Sequence, residues 1–140
     1  MPIQQINPTQ AKKILDENAE ALYLDVRSVR EFDQGHAEGA INIPLLDHNE
    51  EGQMVPNPDF VQVVEAYLPK EKVLVIGCQA GGRSQKACEI LEAKGYQQLS
   101  NMMGGFGGSP QTPGWKQSGL PVTQESAQGS SYESIQEKVK

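Results

Sequence analysis

Residues 72–84 read Lys72-Val73-Leu74-Val75-Ile76-Gly77-Cys78-Gln79-Ala80-Gly81-Gly82-Arg83-Ser84, and the rest of the chain arranges itself around them. Val73 to Ile76 are apolar without interruption and mostly β-branched. A run with no polar alternation predicts a strand covered on both faces, the usual state inside a parallel sheet. A cysteine follows, then a turn with two adjacent glycines, then a helix expected to start near Arg83. Ala87, Ile90 and Leu91 give that helix an apolar face, and Gly95 suits the position just past its end. Cys78 therefore sits between a buried strand and a helix N-terminus, where backbone N–H groups are unpaired and the helix dipole favours negative charge. Glycines let the loop curl until successive N–H groups converge, an anion-cradling nest. With the fixed cation of Arg83 beside it, the position favours thiolate over thiol, so Cys78 reads as a nucleophile. Cys88, mid-helix between Ala87 and Leu91, reads as the buried, inert kind of cysteine.

Cys78-Gln79-Ala80-Gly81-Gly82-Arg83-Ser84 resembles the active-site loop of the rhodanese sulfurtransferases, in which Cys-x-x-Gly-x-Arg-Ser is common. Leu24-Asp25-Val26-Arg27, followed by Glu31-Phe32, Gly35-His36, Gly39-Ala40 and Ile43-Pro44, is similar to that family's N-terminal signature. Gly114-Trp115 and Gly119-Leu120-Pro121 resemble its C-terminal end. The resemblance implies an α/β rhodanese-like fold, a mostly parallel sheet of about five strands with helices on both faces. It implies a sulfurtransferase of the thiosulfate:cyanide type. By the same resemblance, Cys78 would be the nucleophile, Gln79, Ala80, Gly81, Gly82, Arg83 and Ser84 would bind the substrate, and Asp25 and Arg27 would order the loops around the pocket. Cell-cycle phosphatases share this fold, but cysteine phosphatases place one residue more between Cys and Arg than the four present here. The smaller ring suits one extra sulfur on Cys78 rather than a phosphoryl group. No metal or organic cofactor is implied. The expected partners are a small sulfur-donor anion and a thiol acceptor, either a small thiol or a thioredoxin-like protein. Only Arg83 in the loop is charged, so a polysulfide or glutathione persulfide stands beside thiosulfate as donor. The alternative function is a persulfide carrier that passes sulfur to a docked protein without turnover.

A chain of 140 residues can bury one proper core, which limits it to one domain. A formal charge of −6 argues against binding nucleic acid or an anionic membrane surface. The opening Met1-Pro2-Ile3-Gln4-Gln5 shows neither a basic cluster nor a long apolar run, so neither a secretion signal nor a transmembrane helix is expected. Two cysteines, one needed as a thiolate, suit a reducing compartment, with cytoplasm the default and a monomer expected. Two histidines and two cysteines, scattered, make no zinc pattern.

Along the chain, Asn7-Pro8-Thr9-Gln10 predicts a capped helix whose apolar face holds Ala11, Ile14 and Leu15. Leu22-Tyr23-Leu24 predicts a strand that ends in Asp25 and Arg27, at the edge where open α/β sheets bind ligands. Structural support is nonetheless the commoner use of such a pair. Ser28 and Glu31 form a capping box for a short helix ending at Gly35. His36, beside a glycine, reads as a packing residue rather than a base. Residues 40–43 predict a second short strand, stopped by Pro44. The polar stretch around His48 reads as solvated. Phe60, Val63, Val64 and Tyr67 lie at helical spacing as core, Pro69 closes their helix, and a weak strand is expected near Leu99. Residues 102–115 are too rich in Gly and Pro for a helix and read equally as a surface loop or an apolar pocket rim. The domain is expected to span residues 1–121. Residues 122–140 read as a polar tail, with Tyr132, Ile135 and Val139 spaced for a short terminal helix that would be marginal alone.

Overall fold

A computed structural model of the chain describes residues 3–126 and 129–139. The element order is β1 (Gln4–Ile6), α1 (Pro8–Glu17), β2 (Ala21–Asp25), α2 (Val29–Gln34), β3 (His36–Ala37), β4 (Ile41–Asn42), β5 (Leu46–His48), β6 (Met54–Pro56), α3 (Phe60–Tyr67), β7 (Val73–Gly77), α4 (Gly82–Ala93), β8 (Gln98–Met102), β9 (Val122–Thr123) and α5 (Tyr132–Val139). Five strands form one sheet in the order β1-β8-β7-β2-β4, and every neighbouring pair is parallel. β7 lies at its centre, with Leu74, Val75 and Ile76 wholly buried. Its unbroken apolar run has a simple cause. Leu74 and Ile76 pack into a cluster with residues of α3, α4 and α5, while Val75 packs into a second cluster with Ala11 of α1 and Phe32 of α2. Both faces of the sheet are thus covered at β7, so its side chains are apolar on both.

The register sets Asp25 of β2 opposite Gly77 of β7, and Ile76 of β7 opposite Asn101 of β8. The C-terminal ends of these three strands are therefore level. Whatever follows them converges on one edge of the sheet, where ligands bind in folds of this kind.

The expected helix caps are present. Asn7 and Gln10 exchange side-chain-to-backbone bonds of 2.8 Å in both directions, and Ser28 and Glu31 form the second capping box. Gly95 has φ +98°, the left-handed conformation anticipated just beyond α4.

Three features depart from expectation. β8 is a full five-residue strand lying between β1 and β7 rather than a weak one. Its polar residues hid it: Ser100 and Asn101 are buried, and Asn101 is satisfied by Ser84 and Gln5. The segment around His48 is not simply solvated, because β5 and β6 form an antiparallel hairpin and His48 is half-buried in it. Asn49 turns that hairpin by accepting the backbone N–H groups of Glu51 and Gln53. Last, the C-terminal segment is not a free polar tail. β9 pairs with β3, Ser130 accepts the Asn42 N–H at 2.8 Å, and Tyr132 and Ile135 of α5 are buried in the α3 cluster. An eight-residue helix is marginal by itself, but tertiary burial of one apolar face supplies what its length cannot. No helix among the described residues is long and apolar enough to cross a membrane.

Candidate active site

The site is built at the C-terminal end of β7. Gly77 is required there, since a Cβ would come within 2.7 Å of the Tyr23 hydroxyl. Cys78 follows, 2% exposed, and its Sγ accepts the Gly81 N–H at 3.0 Å. Gly81 caps α4 with φ +115°, a conformation that an L side chain rarely adopts. The loop thus turns the Gly81 N–H inward onto the sulfur where α4 begins, and the helix dipole adds to the same field. Gln79, Ala80 and Gly82 are exposed around it. Ser84 is buried, with Oγ 3.1 Å from the Gly81 carbonyl oxygen and 2.5 Å from Asn101 Oδ1. Asn101 in turn donates from Nδ2 to Gln5 Oε1. Ser84 therefore ties the loop to β8.

Both arginines near the site are held by carboxylates. Arg27 grips Asp25 through Nε and Nη2 at 2.8–3.1 Å, and both residues are buried. Arg27 also donates from Nη2 to the Gly35 carbonyl at 2.8 Å and lies 4.4 Å from the centroid of the Phe106 ring. Its Nη1 reaches Gln79 Oε1 at 3.4 Å, which links this buried pair to the Cys78 loop. Arg83 is held bidentately by Glu31, at 2.7 Å and 3.0 Å. Burial would raise the Glu31 carboxyl, but the Arg83 hydrogen bonds and charge, with the Ser28 N–H, hold it down to about 2. The same Glu31 that caps α2 thus anchors the first turn of α4, a second use that its capping motif does not announce.

Cys88 is wholly buried, and burial together with the charges of Glu89 and Glu92 pushes its thiol up to about 12. Its burial and raised thiol fit the inert role that its helical setting suggests. His36 is buried and stacked on Phe32 at 3.6 Å, with its ring nitrogens 2.8 and 3.0 Å from the Phe32 and Glu125 carbonyl oxygens. It packs and ties rather than serving the nucleophile. Among the described residues, no group of three His, Cys, Asp or Glu side chains could hold a metal ion.

The segment after β8 is the part that sequence reading left open. It is bolted to the nucleophile loop: Phe106 N–H donates to the Cys78 carbonyl at 2.7 Å and Gly107 N–H to the Gln79 carbonyl at 2.9 Å. Gly105, at φ +57°, allows this approach, since a Cβ there would lie 2.3 Å from the Cys78 carbonyl oxygen. Trp115, buried, closes the segment by donating its backbone N–H to Gly105 and its indole N–H to Pro121. Beside the loop lies a groove of about 550 Å³, lined by Arg27, Glu31, Gln34, Gln79, Phe106 and Lys116 among others. The signal that could have found this arrangement was the run Gly104-Gly105-Phe106-Gly107-Gly108, in which small residues permit backbone to pack on backbone.

The Rhodanese-like domain family model matches residues 7–108. The chain belongs to the rhodanese-like domain family. Among curated relatives, it is 40% identical over 100 residues to thiosulfate sulfurtransferase 16, chloroplastic, of Arabidopsis thaliana, covering 71% of this chain and 78% of that protein. It is 43% identical over 84 residues to protein HIGH ARSENIC CONTENT 1, mitochondrial, of the same plant, covering 60% of this chain but only 49% of that protein. Among solved structures, the crystal structure of Rv0390 from M. tuberculosis superposes with a TM-score of 0.74 at 24% identity, over 89% of this chain and all of that one. This last likeness speaks to the fold alone. The rhodanese-like match runs from the α1 cap through the nucleophile loop to Gly108, so it takes in the elements that build the site.

Proposed function

We propose that this rhodanese-like chain is a sulfurtransferase that carries a sulfane sulfur on Cys78 as a persulfide. The observation that carries the reading is the Gly81 N–H directed at Cys78 Sγ from 3.0 Å at the start of α4. A donor nearest to hand is thiosulfate. The Cys78 thiolate attacks its outer sulfur, the donor S–S bond breaks, and the bonding electron pair leaves with sulfite. The terminal sulfur left on Cys78 is anionic and is held by the N–H groups of Gln79, Ala80, Gly81 and Gly82, as an oxyanion hole holds its charge. An acceptor thiolate then attacks that sulfur, and the electron pair of the breaking bond returns to Cys78. Arg83 acts on this anion as a pair with Glu31, and Asp25 and Arg27 brace the loop through Gln79. Donor and acceptor are small sulfur anions and thiols, with a thioredoxin-like protein as another acceptor. The chain works as a monomer in a reducing compartment such as the cytoplasm.

The test is steady-state turnover over a panel of donors, thiosulfate, polysulfide and glutathione persulfide, with parent and Cys78→Ser. Parent should turn over at least one donor, and Cys78→Ser none, at unchanged melting temperature, because the hydroxyl is nearly isosteric and far less nucleophilic. Turnover retained by folded Cys78→Ser would contradict the reading.

A further inference from the structure

β8 lies inside the parallel sheet, a setting in which apolar side chains are the rule. Asn101 departs from it. It is 4% exposed and shares a face with Leu99, which packs in one cluster with Leu91 of α4. Both ends of its amide go to side chains of other elements: Oδ1 lies 2.5 Å from Ser84 Oγ, and Nδ2 donates to Gln5 Oε1 at 2.9 Å. From there Gln5 Nε2 donates to Gln85 Oε1 at 2.6 Å, and Gln85 Nε2 to Glu89 Oε2 at 3.0 Å. A carboxylate only accepts, so Glu89 fixes which end of each amide faces which neighbour. The line therefore ends with an oxygen, Asn101 Oδ1, turned to Ser84, and Ser84 must donate. Its hydroxyl has one hydrogen and two acceptors within reach, Asn101 Oδ1 at 2.5 Å and the Gly81 carbonyl oxygen at 3.1 Å. Asn101, the closer, takes it. The Gly81 carbonyl is left to the Gln85 N–H at 3.2 Å, the regular start of α4. In a trans peptide the Gly82 N–H points opposite to that carbonyl, out of the N-terminal end of the helix, while the Gly81 N–H lies 3.0 Å from Cys78 Sγ.

We propose that Asn101 is a positioning residue of the nucleophile loop: by taking the Ser84 hydrogen, it keeps the Gly81–Gly82 turn set with its N–H groups toward the anionic sulfur of Cys78. The inference rests on the sulfur-transfer reading and adds a residue of β8 to the machinery. Without Asn101, the Ser84 hydroxyl turns to the Gly81 carbonyl. The peptide that carries both that carbonyl and the Gly82 N–H is then pulled from its place. Asn101 takes no part in the bonds that form and break.

Two rates at Cys78 test this in the whole chain, for parent, Asn101→Ala, Ser84→Ala and the double variant. One is alkylation by iodoacetamide at neutral pH, the other persulfide formation from thiosulfate, both followed by peptide mass. Each single substitution should slow both rates by about tenfold, the worth of one good hydrogen bond to a charged group. The double variant should be no slower than either single one, because Asn101 acts through Ser84. A purely structural role would leave the two losses independent. Losses that multiply, or an Asn101→Ala chain that keeps the parent's rates, would overturn the proposal. Where Asn101→Ala does not fold, Gln5→Ala decides, since Gln5 is exposed and its loss frees the Asn101 amide to turn. Alkylation should then slow about threefold, and a rate equal to the parent's would overturn the proposal in the same way. Alkylation needs no sulfur donor, so the two readings fail separately. Slowed alkylation in a chain that forms no persulfide would sink sulfur transfer and leave the positioning role; persulfide formation at the parent's rate in Asn101→Ala would do the reverse. A parent whose Cys78 neither alkylates nor takes sulfur would overturn both.

Discussion

Glu31 is the residue on which two pieces of the site depend, since it caps α2 through Ser28 and fixes Arg83 at the start of α4. Its carboxyl lies lower folded, at about 2, than its ordinary 4.5, so the folded state binds its proton less tightly than the unfolded state does. A depressed carboxylate contributes stability that is complete above about pH 4.5 and is lost as pH falls toward about 2. The pair is partly exposed, and solvent screening limits the contribution to about 1 kcal/mol. Urea midpoints measured across this window should therefore fall more steeply for the parent than for Glu31→Gln; parallel curves would show that the pair adds nothing. Cys88 supplies the second residue-scale expectation. Its thiol, pushed up to about 12 by burial, should remain unmodified by iodoacetamide at neutral pH until the chain is unfolded, and Cys88→Ser should keep most of the parent's sulfur transfer. Inactivity of a folded Cys88→Ser would undo the assignment of Cys78 as nucleophile.

Two elements decide more than their sequences advertise. The segment after β8 sits on the nucleophile loop, and Gly105→Ala tests that seat: the new Cβ would meet the Cys78 carbonyl oxygen at 2.3 Å, with φ at +57°. Strain and overpacking together should cost about 2–4 kcal/mol in urea unfolding and impair persulfide formation. Gly119→Ala is the control, because its φ is also positive, +73°, yet nothing lies within 4 Å of its Cβ. Equal losses at the two positions would mean that contact with the loop is unimportant. α5 is the other element. Truncation after Pro121 removes the buried Tyr132 and Ile135, at about 1.5–3 kcal/mol for each large apolar side chain, so the melting temperature should fall sharply. An unchanged melting temperature would make α5 a passenger. Sequence periodicity found the face of α5 but not its docking, since the groove it fills is assembled from α3 and the sheet, far away in the chain. The loop after β8 was ambiguous for a related reason. Gly and Pro exclude a helix, but they do not say which backbone the glycines allow to approach.

At the scale of the whole molecule, three strands of the parallel sheet and the capped helices around them were legible as local patterns: the unbroken run at β7 and the short strands at β2 and β4. β1 escaped because Gln4 and Gln5 are exposed and only Ile6 is buried, which leaves no period to read. β8 was underrated because its buried polar residues gain partners only in the folded chain. The placement of the candidate site was legible: Cys78 at the end of the central strand before α4, with Asp25 and Arg27 at the end of the neighbouring strand. The commitment of Arg83 to Glu31 was not, because the two residues lie on different elements and neither motif requires the other. The central property proposed for this assembly is that it makes a sulfur carrier of Cys78. Incubated with thiosulfate and analysed by mass after peptide mapping, the parent chain should gain a single sulfur, about 32 Da, on Cys78, and cyanide should remove it. A chain that gains no mass with any sulfane donor, or gains it on Cys88, would contradict that claim.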